Sequence, residues 1–239
     1  MRIDGRKAGQ LRPVRITPGF LKHPAGSALI EFGNTRVICS ASVIEEVPPW
    51  MRAQKVSGGW ITGEYQMIPA STHDRSKRET NHPSGRTQEI QRLIGRSLRG
   101  AVDLDKLGPR TIYIDCEVID ADGGTRCASI TGGMVAMQMA IKKLIRDGKL
   151  SVSPVKSNIA AVSVGIYKGE VLLDLCYEED SNAEVDMNLV MNAGGEFIEV
   201  QGSGEEATFT ESQLAQMLAC GKAGIRELLA AQQAALAVA

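Results

Sequence analysis

The sequence predicts a mixed α/β fold of the α+β type, built from mixed β-sheets and packed helices in a single domain over residues 1–239. Hairpin signals recur along the chain, amphipathic helical spacing fills the segments between and after them, and the strict strand–helix alternation of a parallel βαβ sheet is missing. No Pro/Gly/Ser-rich linker divides the chain, and a long hairpin near the start of each half hints at an internal duplication.

Taken in order, residues 28–44 form two strand-like runs around Gly33-Asn34, both tolerant of the positive φ a tight turn needs. Residues 45–86 show no clear period and read as a long irregular stretch, rich in Pro, Gly and charge, of the kind that binds a ligand or partner. From Thr87 to Val102, Ile90, Leu93, Ile94, Leu98 and Ala101 fall at helical spacing, with Thr87 as the expected N-cap and Arg92, Arg96 and Arg99 on the other side. Ile112, Ile114, Cys116 and Val118 alternate with polar residues as a strand. A second helix is expected over residues 129–147, stopped by Asp147-Gly148. Hairpins follow over residues 160–177 around Lys168-Gly169 and over 187–201 around Gly194-Gly195. A last helix starts at Thr210 with Gln213 as its capping-box partner, and its Ala-rich end, residues 230–239, is expected to fray.

Composition narrows the function classes. Apolar residues make up 43% and charged residues 23% of the chain, which is ordinary globular usage and excludes disordered and collagenous classes. No run reaches the apolar length a membrane helix needs, and the start of the chain lacks the apolar core of a secretory signal, so a cytoplasmic protein without a membrane partner is expected. The five cysteines lie far apart without a C-x-x-C pair, which speaks against a disulfide framework or zinc site and for small core residues. His23, His73 and His82 match no zincin or hydrolase arrangement.

The net charge is only −1, yet charge is unevenly spread. Residues 1–36 hold seven basic against two acidic residues, and residues 72–99 seven against three. Residues 170–186 then hold seven carboxylates and no Lys or Arg. Basic patches beside an acidic cluster suit a polyanionic substrate and a divalent metal.

Two segments look built for an anion. Asp120-Ala-Asp-Gly-Gly-Thr-Arg-Cys-Ala-Ser-Ile-Thr-Gly-Gly133 runs from a strand through a glycine turn into a helix, where Gly123 and Gly124 allow close backbone approach and Arg126 offers a planar fork for phosphate oxygens. It is neither a Walker A loop nor G-x-G-x-x-G. Ser84-Gly-Arg-Thr-Gln-Glu-Ile90 places Arg86 at another helix entrance, so that two arginines can converge on one phosphate; the alternative for Arg86 is a surface ion pair with Glu89. In the acidic cluster, Asp180 and Asp186 are singled out as hard oxygen ligands for a divalent metal, with Mg²⁺ the expected ion.

Gly85-Arg86-Thr-x-Glu89-Ile-Gln-Arg-Leu-Ile94, Asp122-Gly-Gly-Thr-Arg126 with Ala128-Ser-Ile-Thr-Gly132, Tyr177-x-Glu-Asp180-Ser-x-Ala183-x-x-Asp186-Met-Asn188 and Ile198-Glu-Val-Gln-Gly202, with Arg12-Pro-Val14 and residues 26–33 and 59–65, closely resemble the bacterial ribonuclease PH family. The resemblance covers essentially the whole chain. It implies a ribonuclease PH-type domain and a phosphorolytic 3′-to-5′ exoribonuclease, a tRNA nucleotidyltransferase that matures the 3′ ends of tRNA precursors, with rRNA processing or degradation as a further role. It further implies a homohexamer built as a trimer of dimers. Carried onto matching positions, Arg86, Gly124, Thr125 and Arg126 would bind inorganic phosphate, and Asp180 and Asp186 would serve the metal or proton transfer.

Arg75, Lys77 and Arg78 are the expected RNA-binding residues of the irregular stretch. The expected reaction exchanges a phosphodiester for a diphosphate bond, so it should run backwards and extend RNA from nucleoside diphosphates. Two competing readings are a non-catalytic ring subunit of an RNA-degrading assembly, which should lack the phosphate arginines or the acidic pair, and a metal-dependent hydrolase, which should release monophosphates.

Overall fold

Two β-sheets share one apolar interior in the computed structural model, which describes residues 2–204 and 207–238. The first sheet contains β1 (Val14–Pro18), β2 (Gly26–Phe32), β3 (Thr35–Ile44), β4 (Trp60–Met67) and β5 (Thr111–Asp120) in the order β1-β2-β3-β5-β4. Its pairs are antiparallel except β4–β5, which is parallel, so the sheet is mixed as expected. The second contains β6 (Ile159–Tyr167), β7 (Glu170–Leu173), β8 (Val185–Asn192) and β9 (Phe197–Gly204) in the order β7-β6-β8-β9 and is antiparallel throughout.

Helix α4 (Thr125–Arg146) lies between the sheets, against β2, β3 and β5 on one side and β6 on the other. Ile130, Met134, Met137, Ile141 and Leu144 are all buried along it. Helix α2 (Gly85–Gly100) packs on β4 and α4 through Ile90, Leu93, Ile94 and Leu98. Burying each of these aliphatic side chains contributes about 1.5–3 kcal/mol of transfer free energy. Helix α6 (Glu211–Ala237) covers β6 and β7. Short helices α1 (Pro49–Gln54), α3 (Leu104–Leu107) and α5 (Tyr177–Asp180) complete the chain. No helix among the described residues is long and apolar enough to cross a membrane.

The three expected hairpins are present, and α6 starts with the expected capping box of Thr210 and Gln213. Four readings are corrected. Residues 45–86 are not irregular throughout, since they contain α1 and β4. In β4 the inward positions are Ile61, Gly63 and Tyr65; at Gly63 a Cβ would stand 2.8 Å from Ile94 Cγ2, so the close approach of α2 removes an apolar residue from the alternation. The N-cap of α2 is Ser84 rather than Thr87, because the Ser84 hydroxyl accepts the Thr87 amide at 3.2 Å. Helix α4 begins one turn before residue 129.

The Ala-rich end does not fray through residue 237. Ala235 and Leu236 are buried, Lys142 Nζ donates to the Leu236 carbonyl at 2.8 Å, and buried Gln232 donates to the carbonyls of Thr131 and Ile159. Tertiary contacts thus replace the caps the segment lacks. Ala239 lies outside the described residues.

Candidate active site

The strand-to-helix turn between β5 and α4 is the centre of the site. Gly123 and Gly124 have φ of 74° and 68°, in the left-handed region that favours glycine. A Cβ on Gly123 would also stand 2.6 Å from the Leu175 carbonyl oxygen. Gly124 is the N-cap of α4 and no side chain caps this end. The Ala128 amide bonds back to the Gly124 carbonyl at 3.0 Å, so the amides of Thr125, Arg126 and Cys127 precede the first helical hydrogen bond. Such a helix start presents N–H groups and partial positive charge to an anion.

These residues face a cavity of about 420 Å³ whose walls include Arg86, Gly123, Gly124, Thr125, Arg126, Tyr177, Asp180 and Asp186. The fold therefore brings together every residue expected at the phosphate and metal positions. Arg86 lies in the first turn of α2. That helix start is not itself open to an anion, since Glu79 accepts the Ser84 amide and the Thr87 hydroxyl, each at 3.2 Å. The contribution from α2 is thus the Arg86 side chain. Glu89 pairs with Arg126 at 3.4 Å, joining α2 to α4. Arg126 also approaches Gln201 of β9 at 3.4 Å. Both contacts are long, and the Glu89 carboxylate is well exposed, so they hold Arg126 only weakly.

Tyr65 closes the 59–65 motif, but the sequence gives it no role at the site. Its hydroxyl shares a 2.8 Å hydrogen bond with Thr125 Oγ1, which fixes Thr125 against β4. Burial pushes the Tyr65 phenol up and outweighs the opposing pull of Thr125, Arg86 and Arg126, so it stays protonated. The signal was hidden because β4 itself was read as irregular.

The acidic cluster divides into two groups. Asp174 is buried in an ion pair with Arg12 at 2.7 Å, and Glu179 in one with Arg2 at 2.6 Å. Two arginines of the basic amino-terminal run are therefore internal counter-ions and not a surface patch. Glu179, which the sequence did not single out from the cluster, is a buried structural group. Asp180 and Asp186 instead line the cavity. Asp186 Oδ1 is buried without a hydrogen-bond partner among the described residues, an arrangement that leaves a lone pair for a cation. Among those residues no group of three or more His, Cys, Asp or Glu forms a metal cage. Two carboxylates beside an uncapped helix start nevertheless fit Mg²⁺, which keeps waters and substrate oxygens as its other ligands.

Arg75, Lys77 and Arg78 are exposed on the loop between β4 and α2 and do not line the cavity. The same loop reaches its rim through Thr72. Burial and Asp115 push the Glu117 carboxyl up, while the charge of Arg78 pulls it down. Arg96 is engaged by Glu199 through two bonds of 2.7 and 2.8 Å, and Arg99 stacks 4.3 Å over Trp60, so part of the basic stretch is structural. The cysteines are free, four of them buried, and the three histidines are exposed, as expected. Cys127, at the α4 start, donates to Asn188 Oδ1 at 3.2 Å, and burial pushes its thiol up to about 12, which removes it as a nucleophile.

Residues 10–142 match the model of the 3′ exoribonuclease family, domain 1, and residues 157–224 match domain 2 of that family. The chain is 56% identical over 238 residues to the ribonuclease PH of Synechococcus sp. (strain JA-2-3B'a(2-13)), covering 98% of this chain and 97% of the relative. The chain belongs to the ribonuclease PH family. A second relative within it, the ribonuclease PH of Listeria monocytogenes serotype 4a, is 55% identical over 239 residues, covering 99% of this chain and 96% of the relative. Two solved structures share the ribonuclease PH fold at lower identity. Rice (Oryza sativa) Rrp46 has a TM-score of 0.79 at 20% identity, covering 99% of this chain and 100% of the other. A chain of the Archaeoglobus fulgidus exosome with RNA bound to the active site has a TM-score of 0.78 at 24% identity, covering 95% and 91%.

Proposed function

We propose that the cavity between α2, α4 and α5 binds inorganic phosphate beside the 3′ end of an RNA and transfers the terminal nucleotide to it. The chain is a phosphate-dependent 3′-to-5′ exoribonuclease acting on tRNA, a phosphorolytic nucleotidyltransferase. The observation that carries the site assignment is the convergence of Arg86, Arg126 and the uncapped start of α4 on the cavity that also holds Asp180 and Asp186.

In the reaction, a phosphate oxygen attacks the phosphorus of the last phosphodiester and the bond from phosphorus to the 3′ oxygen breaks. The products are a nucleoside 5′-diphosphate and an RNA one nucleotide shorter, whose 3′ oxygen takes up a proton. Repulsion between a phosphate dianion and a polyanion is the main obstacle. Arg86, Arg126 and the α4 amides offset it and hold the nucleophile in line. Thr125, braced by Tyr65, and Gly124 shape the pocket around it. Asp180 and Asp186 would hold the divalent ion. When bound, it supplies positive charge to the phosphoryl and leaving oxygens. The proton that the attacking hydrogen phosphate dianion carries balances the one the leaving 3′ oxygen takes up.

Arg75, Lys77 and Arg78 bind the body of the RNA outside the cavity. A nearly neutral chain offers little basic surface alone, so copies of this loop act together in a homohexamer, a trimer of dimers. The substrates are tRNA precursors extended beyond the CCA end, with other RNA 3′ ends, rRNA included, as further targets, in the cytoplasm. Incubating a 3′-extended tRNA with and without phosphate tests the reading. Nucleoside diphosphates formed only with phosphate support it; monophosphates, or release without phosphate, would refute it.

A further inference from the structure

Arg12 lies behind the anion-binding turn and not in the cavity. It is 4% exposed, and its guanidinium and amide are both spent on fixed partners. Its amide and Nε donate to Asp174 Oδ2 at 2.8 and 3.0 Å, and Nη2 donates to Asp174 Oδ1 at 2.7 Å. Nη1 donates to the Asp122 carbonyl and Nη2 to the Gly123 carbonyl at 3.3 Å. Thr35, fully buried at the start of β3, shares the Gly123 carbonyl with Arg12 and also holds the peptide preceding Asp122. Its hydroxyl accepts the Asp122 amide at 2.9 Å and donates to the Gly123 carbonyl at 2.7 Å. Asp174 is itself held at φ 54°, a left-handed conformation sustained only by surrounding contacts.

The consequence follows from peptide geometry. In a trans peptide the N–H points opposite to the C=O. Anchoring the Asp122 and Gly123 carbonyls to Arg12 and Thr35 therefore turns the amides of Gly123 and Gly124 away from them. Glycines have little intrinsic preference between such peptide orientations. A flipped peptide would put a carbonyl oxygen where an anion binds.

We propose that Arg12, with Asp174 and Thr35, is a positioning residue of the phosphate site: it holds the peptides of residues 122–124 so that amides and not carbonyls meet the anion. This rests on the phosphate reading given above. Neither Arg12 nor Thr35 touches the substrate.

The test is phosphorolysis of a 3′-extended RNA at saturating RNA, with phosphate titrated, for Thr35→Val, Thr35→Ser, Arg12→Lys and Arg126→Ala beside the unaltered protein, with melting curves for each. Thr35→Val keeps the shape and removes the hydroxyl, and should raise the half-saturating phosphate about tenfold, the worth of one or two hydrogen bonds. Turnover at saturating phosphate should change less than that. Thr35→Ser should restore the unaltered value, and Arg12→Lys should shift it further than Thr35→Val. A merely structural role would lower the melting temperature and leave half-saturation unchanged. Half-saturation unchanged in folded Thr35→Val, with Arg126→Ala shifted, would overturn the proposal while sparing the site. Should Arg12→Lys not fold, Thr35→Val decides alone. An unshifted Arg126→Ala would overturn the phosphate site and this proposal with it.

Discussion

Arg2 and Glu179, 177 positions apart in the chain, form a two-pronged ion pair of 2.8 and 2.6 Å that is closed to water. Burial alone would raise the Glu179 carboxyl, but Arg2 and the Cys176 amide outweigh it and hold the group below its ordinary 4.5. A depressed carboxyl stabilises the fold fully above its unfolded value and loses that contribution as pH falls through the lower, folded value. Thermal stability is therefore expected to drop on acidification below the ordinary carboxylate range. Glu179→Gln should cost about 3 kcal/mol at neutral pH, since it strands a buried guanidinium, and should flatten the acid limb. Melting curves across pH check this, and an unchanged acid limb would assign the effect elsewhere.

Arg86→Ala and Arg126→Ala should each raise the phosphate requirement with the fold intact, because each removes a charge-assisted contact of about 1.5–3 kcal/mol. Lysine at either position should rescue only in part, since an ammonium lacks the planar fork. Phosphate titration reads the effect directly, and identical half-saturation in both alanine variants would place the anion elsewhere.

Asp180→Asn and Asp186→Asn should depress turnover far more than RNA affinity, as expected of groups acting on the transition state. Glu178→Gln is the exposed control. Comparing single-turnover rates with RNA binding separates the two effects. Asp186→Asn running at the normal rate would remove it from the mechanism.

Reversing the charges of Arg75, Lys77 and Arg78 should weaken structured tRNA precursors more than short oligonucleotides and lower the salt dependence of binding. Sedimentation of the same variant should match that of the unaltered protein. Equal losses on long and short RNA would instead move the loop into the cavity or into a subunit contact.

Legibility followed the range of the interactions. The hairpins announced themselves because turn chemistry at Gly33-Asn34 or Lys168-Gly169 is local. Strand β4 did not, because its partner β5 is distant in sequence and Gly63 blanks one inward position. The first turn of α4 was missed since no capping side chain marks it. At the site, the arginines, glycines and aspartates stood in recognisable order. Tyr65, Thr35 and Arg12 act by facing segments far along the chain, and nothing near them in sequence reports it. The acidic cluster looked uniform for the same reason: only Arg2 and Arg12, at the other end of the molecule, sort Glu179 and Asp174 from Asp180 and Asp186.

The position of α4 between the two sheets also governs how the molecule comes apart. Its apolar side chains complete the interior on both sides, so neither sheet can leave without baring a face that the other half was covering. Amide protons at the middle of α4 should then exchange with solvent only through the rarest, global opening, with the same opening free energy as those of β3 and β6. The glycine turn at the start of this helix is thus mounted on the last part of the protein to melt, and the exposed loop of Arg75 to Arg78 on one of the first.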